Sequence, residues 1–162
     1  MKKLFTYLTL LILIVLQSTV FRNFDILHII PNIVLTFVVC YSMYAEPSKA
    51  TVLAIVSGFV IDIIQTRNIG FSALIMMFVA LVYAIVSSDY IKSNMFTVVA
   101  GTAIATLIYE GLYSFMLYFM FDKVTVGHMF YVITIEGIYN MIIAFPLMFW
   151  AKYLAEDEIR SF

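Results

Sequence analysis

The sequence predicts an all-α polytopic membrane protein with six transmembrane helices. Two compositional numbers carry that expectation. The chain is 64% hydrophobic and 12% charged, against about 45–50% and about 25% for a soluble domain. The third observation is the arrangement: the apolar residues come in long blocks, parted by short polar breaks, and mean hydropathy is +1.06.

Met1-Lys2-Lys3 followed by the apolar run from Leu4 imitates a signal peptide. The run ends in Gln17-Ser18-Thr19-Val20-Phe21, without the small-residue site that signal peptidase prefers, so Leu4 to Phe21 reads as a retained first span. Arg22 to His28 is a short connection expected along the interface. The second span is expected from Ile29 to Tyr44, with Pro31 in its first helical turn, where a missing N–H costs little. Glu46-Pro47-Ser48-Lys49 reads as a plain turn.

Ala50 to Thr66 is the expected third span and carries Asp62; Arg67-Asn68 turns the chain at once into the fourth, Ile69 to Val86. Ser87 to Asn94 makes the next loop. Met95 to Phe121, with Glu110, is the fifth span, long enough to need a tilt. Asp122 to His128 turns into the sixth, Met129 to Ala151, with Glu136, Asn140 and Pro146. A crossing takes about 20 residues, so these segments use nearly the whole chain and residues 1–162 form one domain.

Six spans put both termini on one side, together with Lys2, Lys3, Lys49, Lys92, Lys152 and Arg160. The other side has Arg22, Arg67 and Lys123. That asymmetry predicts cytoplasmic termini. A net charge of −1 points away from nucleic acid. Cys40 stands alone and lacks a small residue before it, which excludes a disulfide framework and argues against a lipoprotein site. His28 and His128 fall in outer connections without further ligands at a metal spacing, so no metal is expected. No G-x-S-x-G, H-E-x-x-H or phosphate-cradling glycine loop occurs, and neither catalytic residues nor a cofactor are expected.

The residues that stand out are carboxylates inside apolar runs: Asp62, Glu110 and Glu136. Ionisable groups at such depth are expensive. Ala54, Gly58 and Asp62 share one helix face, small residues that allow close approach of a neighbour. Thr102, Thr106, Glu110 and Ser114 form a polar stripe, and Glu136 shares a face with Asn140. A hairpin centred near residue 125 sets Glu110 opposite Asn140 and Ser114 opposite Glu136. The corresponding construction at Arg67 sets Asp62 at the depth of Ser72 or Ala73, where it would bond a neighbouring helix and fix the turn. The plain reading of these groups is helix-to-helix adhesion; a proton or substrate path, or a partner contact, is the sharper one. Arg67 reads as an interfacial arginine held by headgroups, with an outer-half carboxylate as the alternative partner.

Leu16-Gln17-Ser18-Thr19, Pro31-Asn32, Gly58-x-x-x-Asp62, Gly70, Asn140 and Pro146, in a chain of this length, resemble the rod-shape-determining MreD family. The resemblance implies a non-enzymatic component of the bacterial inner membrane, in the elongation machinery that supports peptidoglycan synthesis. It implies an architecture similar to the substrate-binding subunits of energy-coupling-factor vitamin transporters. It also implies association with the single-span protein MreC and, through it, with the MreB filament and the wall-synthesis enzymes. Besides membrane lipid and these partners, the sequence leaves a homo-oligomer open. The alternative is a vitamin-binding transporter subunit on the same plan. Such subunits dock through small-residue faces, typically alanine-rich on the first helix, whereas the first alanine here is Ala45.

Overall fold

The computed structural model describes residues 2–23, 29–65, 70–89, 94–121 and 126–159. These form six helices: α1 (Lys2–Asn23), α2 (Ile33–Ser42), α3 (Pro47–Gln65), α4 (Phe71–Asp89), α5 (Met95–Phe121) and α6 (Val126–Ile159). Among the described residues, four helices contain stretches long and apolar enough to cross a membrane: Leu4–Phe21, Pro47–Ile64, Met95–Met120 and Gly127–Ala155. The apolar stretch of α4, Phe71–Ser87, is shorter. The six expected helices are thus present, four of them of spanning length.

The largest departure is the second segment. A helix was expected from Ile29, but α2 starts at Ile33 and has 10 residues. Proline removes a donor and drives the residue before it out of the helical region. Asn32 then serves as the N-cap, at φ −91° and ψ 78°, its side chain accepting from the Leu35 N–H. Pro31 thus precedes the cap instead of occupying the first turn. At 1.5 Å per residue α2 is about 15 Å long, half the hydrocarbon thickness. All ten of its residues are buried, and it packs against each of the other five helices. The bundle is wrapped around this half-length helix.

Two more boundaries move. Pro47 does not end a turn; it is the first residue of α3, and the Glu46 carbonyl accepts from the Lys49 and Ala50 N–H groups. Proline suits that position because its absent N–H would have no helical partner there. α6 begins before Met129 and continues past Ala151, running through Pro146, which faces outward. Arg67 and Asn68 lie outside the described residues, as do His28, Lys92, Lys123 and Arg160.

The Trp150 indole N–H donates to Thr9 Oγ1 at 3.3 Å, Ser87 Oγ donates to the Met43 carbonyl at 2.6 Å, and Lys152 Nζ lies 5.7 Å from the Tyr44 ring centre. The start of α1 and the ends of α2, α4 and α6 therefore share one end of the bundle. Lys49 belongs to this end as well, 3.3 Å from Glu46.

Candidate functional site

The polar residues inside the bundle build two caps, each at a helix N-terminus that begins among other helices. The first belongs to α4. The Gly70 N–H donates to Asp62 Oδ2 at 2.7 Å, and the Ser72 N–H donates to Oδ2 at 3.1 Å and Oδ1 at 3.3 Å. Helix-start N–H groups have no partner within their own helix, and a carboxylate there also complements the positive end of the dipole. Asp62 is fully buried. Gly70 has φ 103°, a conformation that favours glycine, and its carbonyl accepts from the Leu74 N–H to open the helix. One turn before Asp62, Gly58 lets α3 lie against α4, since an added Cβ would fall on the Ser72–Ala73 backbone. The Tyr109 hydroxyl donates to Ser72 Oγ at 2.9 Å, tying α5 to the cap.

The second cap encloses the start of α2. Gln17 Oε1 accepts from the Val34 N–H at 3.0 Å, and Asn32 Oδ1 accepts from the Leu35 N–H at 3.1 Å and from Gln17 Nε2 at 3.5 Å. The Asn32 N–H donates to Asn140 Oδ1 at 2.9 Å. Asn140 Nδ2 in turn donates to Thr106 Oγ1 at 3.0 Å and Glu136 Oε1 at 3.4 Å. Helix-start N–H groups have no partner within their own helix, and here side chains from α1 and α6 supply the acceptors.

The hairpin pairings drawn from residue spacing are not the ones formed. Asn140 meets Thr106, one turn from the expected Glu110, while Glu136 bonds Asn140 and lies near Glu110. Ser114 is buried a turn further along α5. Both contacts are symmetric about residue 123, between the end of α5 at Phe121 and the start of α6 at Val126, so a hairpin centred near 125 sets each pairing one turn off in depth. The sequence placed Thr106 in a polar stripe and Gln17 and Asn32 in short motifs, without a bonding role for any of the three. The available signals were a carboxamide in the apolar run of α1 and an asparagine directly after proline.

Above the α2 N-terminus lies a cavity of about 400 Å³. Its lining comes from α1 (Gln17, Ser18), the approach to α2 (Ile30, Asn32), α3 (Ile61, Ile64), α4 (Ser72), α5 (Tyr109, Glu110, Tyr113) and α6 (Glu136). A smaller cavity of about 240 Å³ lies between α1, α2 and α3 near Lys49. Among the described residues, no three His, Cys, Asp or Glu side chains gather as a metal site, and His128 sits exposed in the first turn of α6.

Gln17, Asn32, Gly58, Asp62, Gly70 and Asn140, scattered along the sequence, thus converge on two caps around one cavity. No curated protein and no solved structure matches the chain. The family described as rod shape-determining protein MreD matches residues 1–157, nearly the whole chain, and lends no support to a vitamin-transporter subunit. With its spanning helices and that match, this multi-pass membrane protein belongs to the MreD family of rod shape-determining proteins.

Proposed function

We propose that the chain is a non-enzymatic scaffold of the bacterial cell-elongation machinery, a single domain over residues 1–162 in the inner membrane. In this reading it binds a single-span MreC-like protein, and through it the MreB filament and the wall-synthesis enzymes. Both termini are cytoplasmic, and the helical plan is similar to that of energy-coupling-factor subunits. The family match over residues 1–157 carries the proposal.

Two features support the mode of action. The loops are short, so contacts with partners run along helix faces. Those faces are apolar: Leu4, Leu11 and Ile12 of α1 and Phe96, Phe115 and Phe119 of α5 all point outward. The shared end of Thr9 and Trp150 supports placing both termini on one side, and the lysine excess at that side supports calling it cytoplasmic. Asp62, Glu110, Glu136, Asn140 and Ser114 act in this reading as internal adhesion, with Gly58, Gly70, Arg67, Pro31 and Pro146 setting packing and turns.

Affinity purification of the full chain from crosslinked membranes tests the proposal. MreC should be recovered with it, and depletion should round rod-shaped cells. Recovery without MreC would remove that partner, and depletion without a change of shape would remove the role.

A further inference from the structure

Among the described residues, the half-length α2 leaves the other half of the bundle axis without a helix. The cavity of about 400 Å³ occupies that space, within the ~300–1,000 Å³ of small-molecule sites. At ~30 Å³ per molecule it has room for about a dozen waters. Cavities that stay empty are apolar ones, and this one is lined by side chains with hydrogen-bonding capacity to spare.

Among the described residues, its charge has one sign. Glu110 and Glu136 line it, and no Lys, Arg or His does among the described residues. The two carboxyl groups line one cavity as neighbours and repel when both are ionised, and a cation beside them relieves that repulsion. Unused donors stand elsewhere in the lining. Asn32 is 8% exposed, its Oδ1 is held by the Leu35 N–H, and its Nδ2 donates to no acceptor among the described residues. Ser72 and Tyr109 share one hydrogen bond, which leaves one hydroxyl hydrogen of the pair for a further acceptor.

We propose that this cavity binds an ammonium group carried beside an oxygen acceptor, as in ethanolamine. The ammonium sits at the Glu110–Glu136 pair, and the oxygen accepts from Asn32 Nδ2 or from the hydroxyl at Ser72. The same chemistry is present in a free amino alcohol and in the headgroup of phosphatidylethanolamine.

The full chain in neutral detergent is melted with ethanolamine or with ethylene glycol, which keeps the oxygens and lacks the ammonium. In parallel, native mass spectrometry follows lipid retained from bilayers of equal phosphatidylethanolamine and phosphatidylcholine. A rise in melting temperature with ethanolamine alone assigns a soluble amine. Selective retention of phosphatidylethanolamine assigns the headgroup. Either effect should disappear in Glu110→Gln, Glu136→Gln. Neither effect, or an equal one with ethylene glycol or in the glutamine variant, overturns the proposal. A second readout needs no change at the acids. Ser18 lines the cavity and bonds its own helix at the Ile14 carbonyl. In a Cys40→Ala, Ser18→Cys chain, a cationic methanethiosulfonate should react about tenfold faster than an anionic one, after normalisation to a free thiol. Equal rates would also overturn the proposal.

Discussion

The backbone N–H of Asn32 donates to Asn140 Oδ1 at 2.9 Å, which joins the start of α2 to α6 across 108 residues of chain. The same carboxamide donates through Nδ2 to Thr106 on α5 at 3.0 Å. One side chain, with acceptor and donor both used, therefore fixes three elements at the point where α2 begins. Replacing it by an apolar group would strand a buried backbone donor.

Asn140→Leu should accordingly destabilise the protein by about 1–3 kcal/mol, the cost of a buried donor left unsatisfied. Thr106→Val should cost less, because the hydroxyl is one of two acceptors for Asn140 Nδ2. Measured by unfolding in detergent, the double variant should depart from additivity by at least about 0.5 kcal/mol. Strict additivity would mean that the pair makes no energetic contact.

Asp62 gives a graded series. Asp62→Leu removes the acceptor of the Gly70 and Ser72 N–H groups and should lower stability by roughly 2 kcal/mol or more. Asp62→Asn retains one side-chain oxygen and loses the charge at the α4 N-terminus, a change of about 1 kcal/mol. Protein level and melting temperature should therefore rank wild type, Asn, then Leu. Equal losses in both variants would show that the charge, and not the acceptor, holds the cap.

Gly58 should tolerate no side chain. An added Cβ meets backbone atoms of Ser72 and Ala73, which cannot rotate away, so Gly58→Ala should cost about 1–3 kcal/mol. Gly111 and Gly137 have no atom within 4 Å of an added Cβ. Alanine there should be neutral or stabilising by up to about 1 kcal/mol. A Gly58→Ala melting curve that overlays wild type would remove the close α3–α4 approach as a source of stability.

These sites differ in how far the sequence discloses them. Gly58 and Asp62 are one turn apart on one helix, so their common face follows from periodicity, and the nearby turn sets the depth of Asp62. The limits of α5 follow equally well, since Met95–Phe121 is one apolar block with polar flanks. The start of α2 was less legible. Residues 29–44 are almost uniformly apolar, and hydropathy responds to burial in protein as it does to burial in lipid. What delayed the start of the helix was the pair Pro31-Asn32, a local signal of capping chemistry. The α5–α6 contacts were legible as a set of residues but not as pairs, because a two-residue error in the centre of the turn moves every contact by one helical turn.

Gln17 is the sharpest remaining test of the half-helix, because it acts on α2 from a different element. Its Oε1 accepts from the Val34 N–H, while its Nε2 helps orient the Asn32 cap. Gln17→Leu nearly conserves volume and removes both functions, and Gln17→Glu retains the acceptor but not the donor. Hydrogen exchange on the full chain separates these effects from general loosening. In Gln17→Leu the Val34 and Leu35 amides should exchange roughly ten- to hundredfold faster, the equivalent of about 1.4–2.8 kcal/mol of lost local protection. The Leu74 amide, bonded to the Gly70 carbonyl in the other cap, should keep its wild-type rate. Gln17→Glu should protect Val34 better than Gln17→Leu does, since the acceptor remains. Parallel acceleration at Val34 and Leu74 would mean that the two caps open as one unit. Unchanged exchange at Val34 would mean that α2 keeps its first turn without help from α1, and the cap would then rest on Asn32 and Asn140 alone.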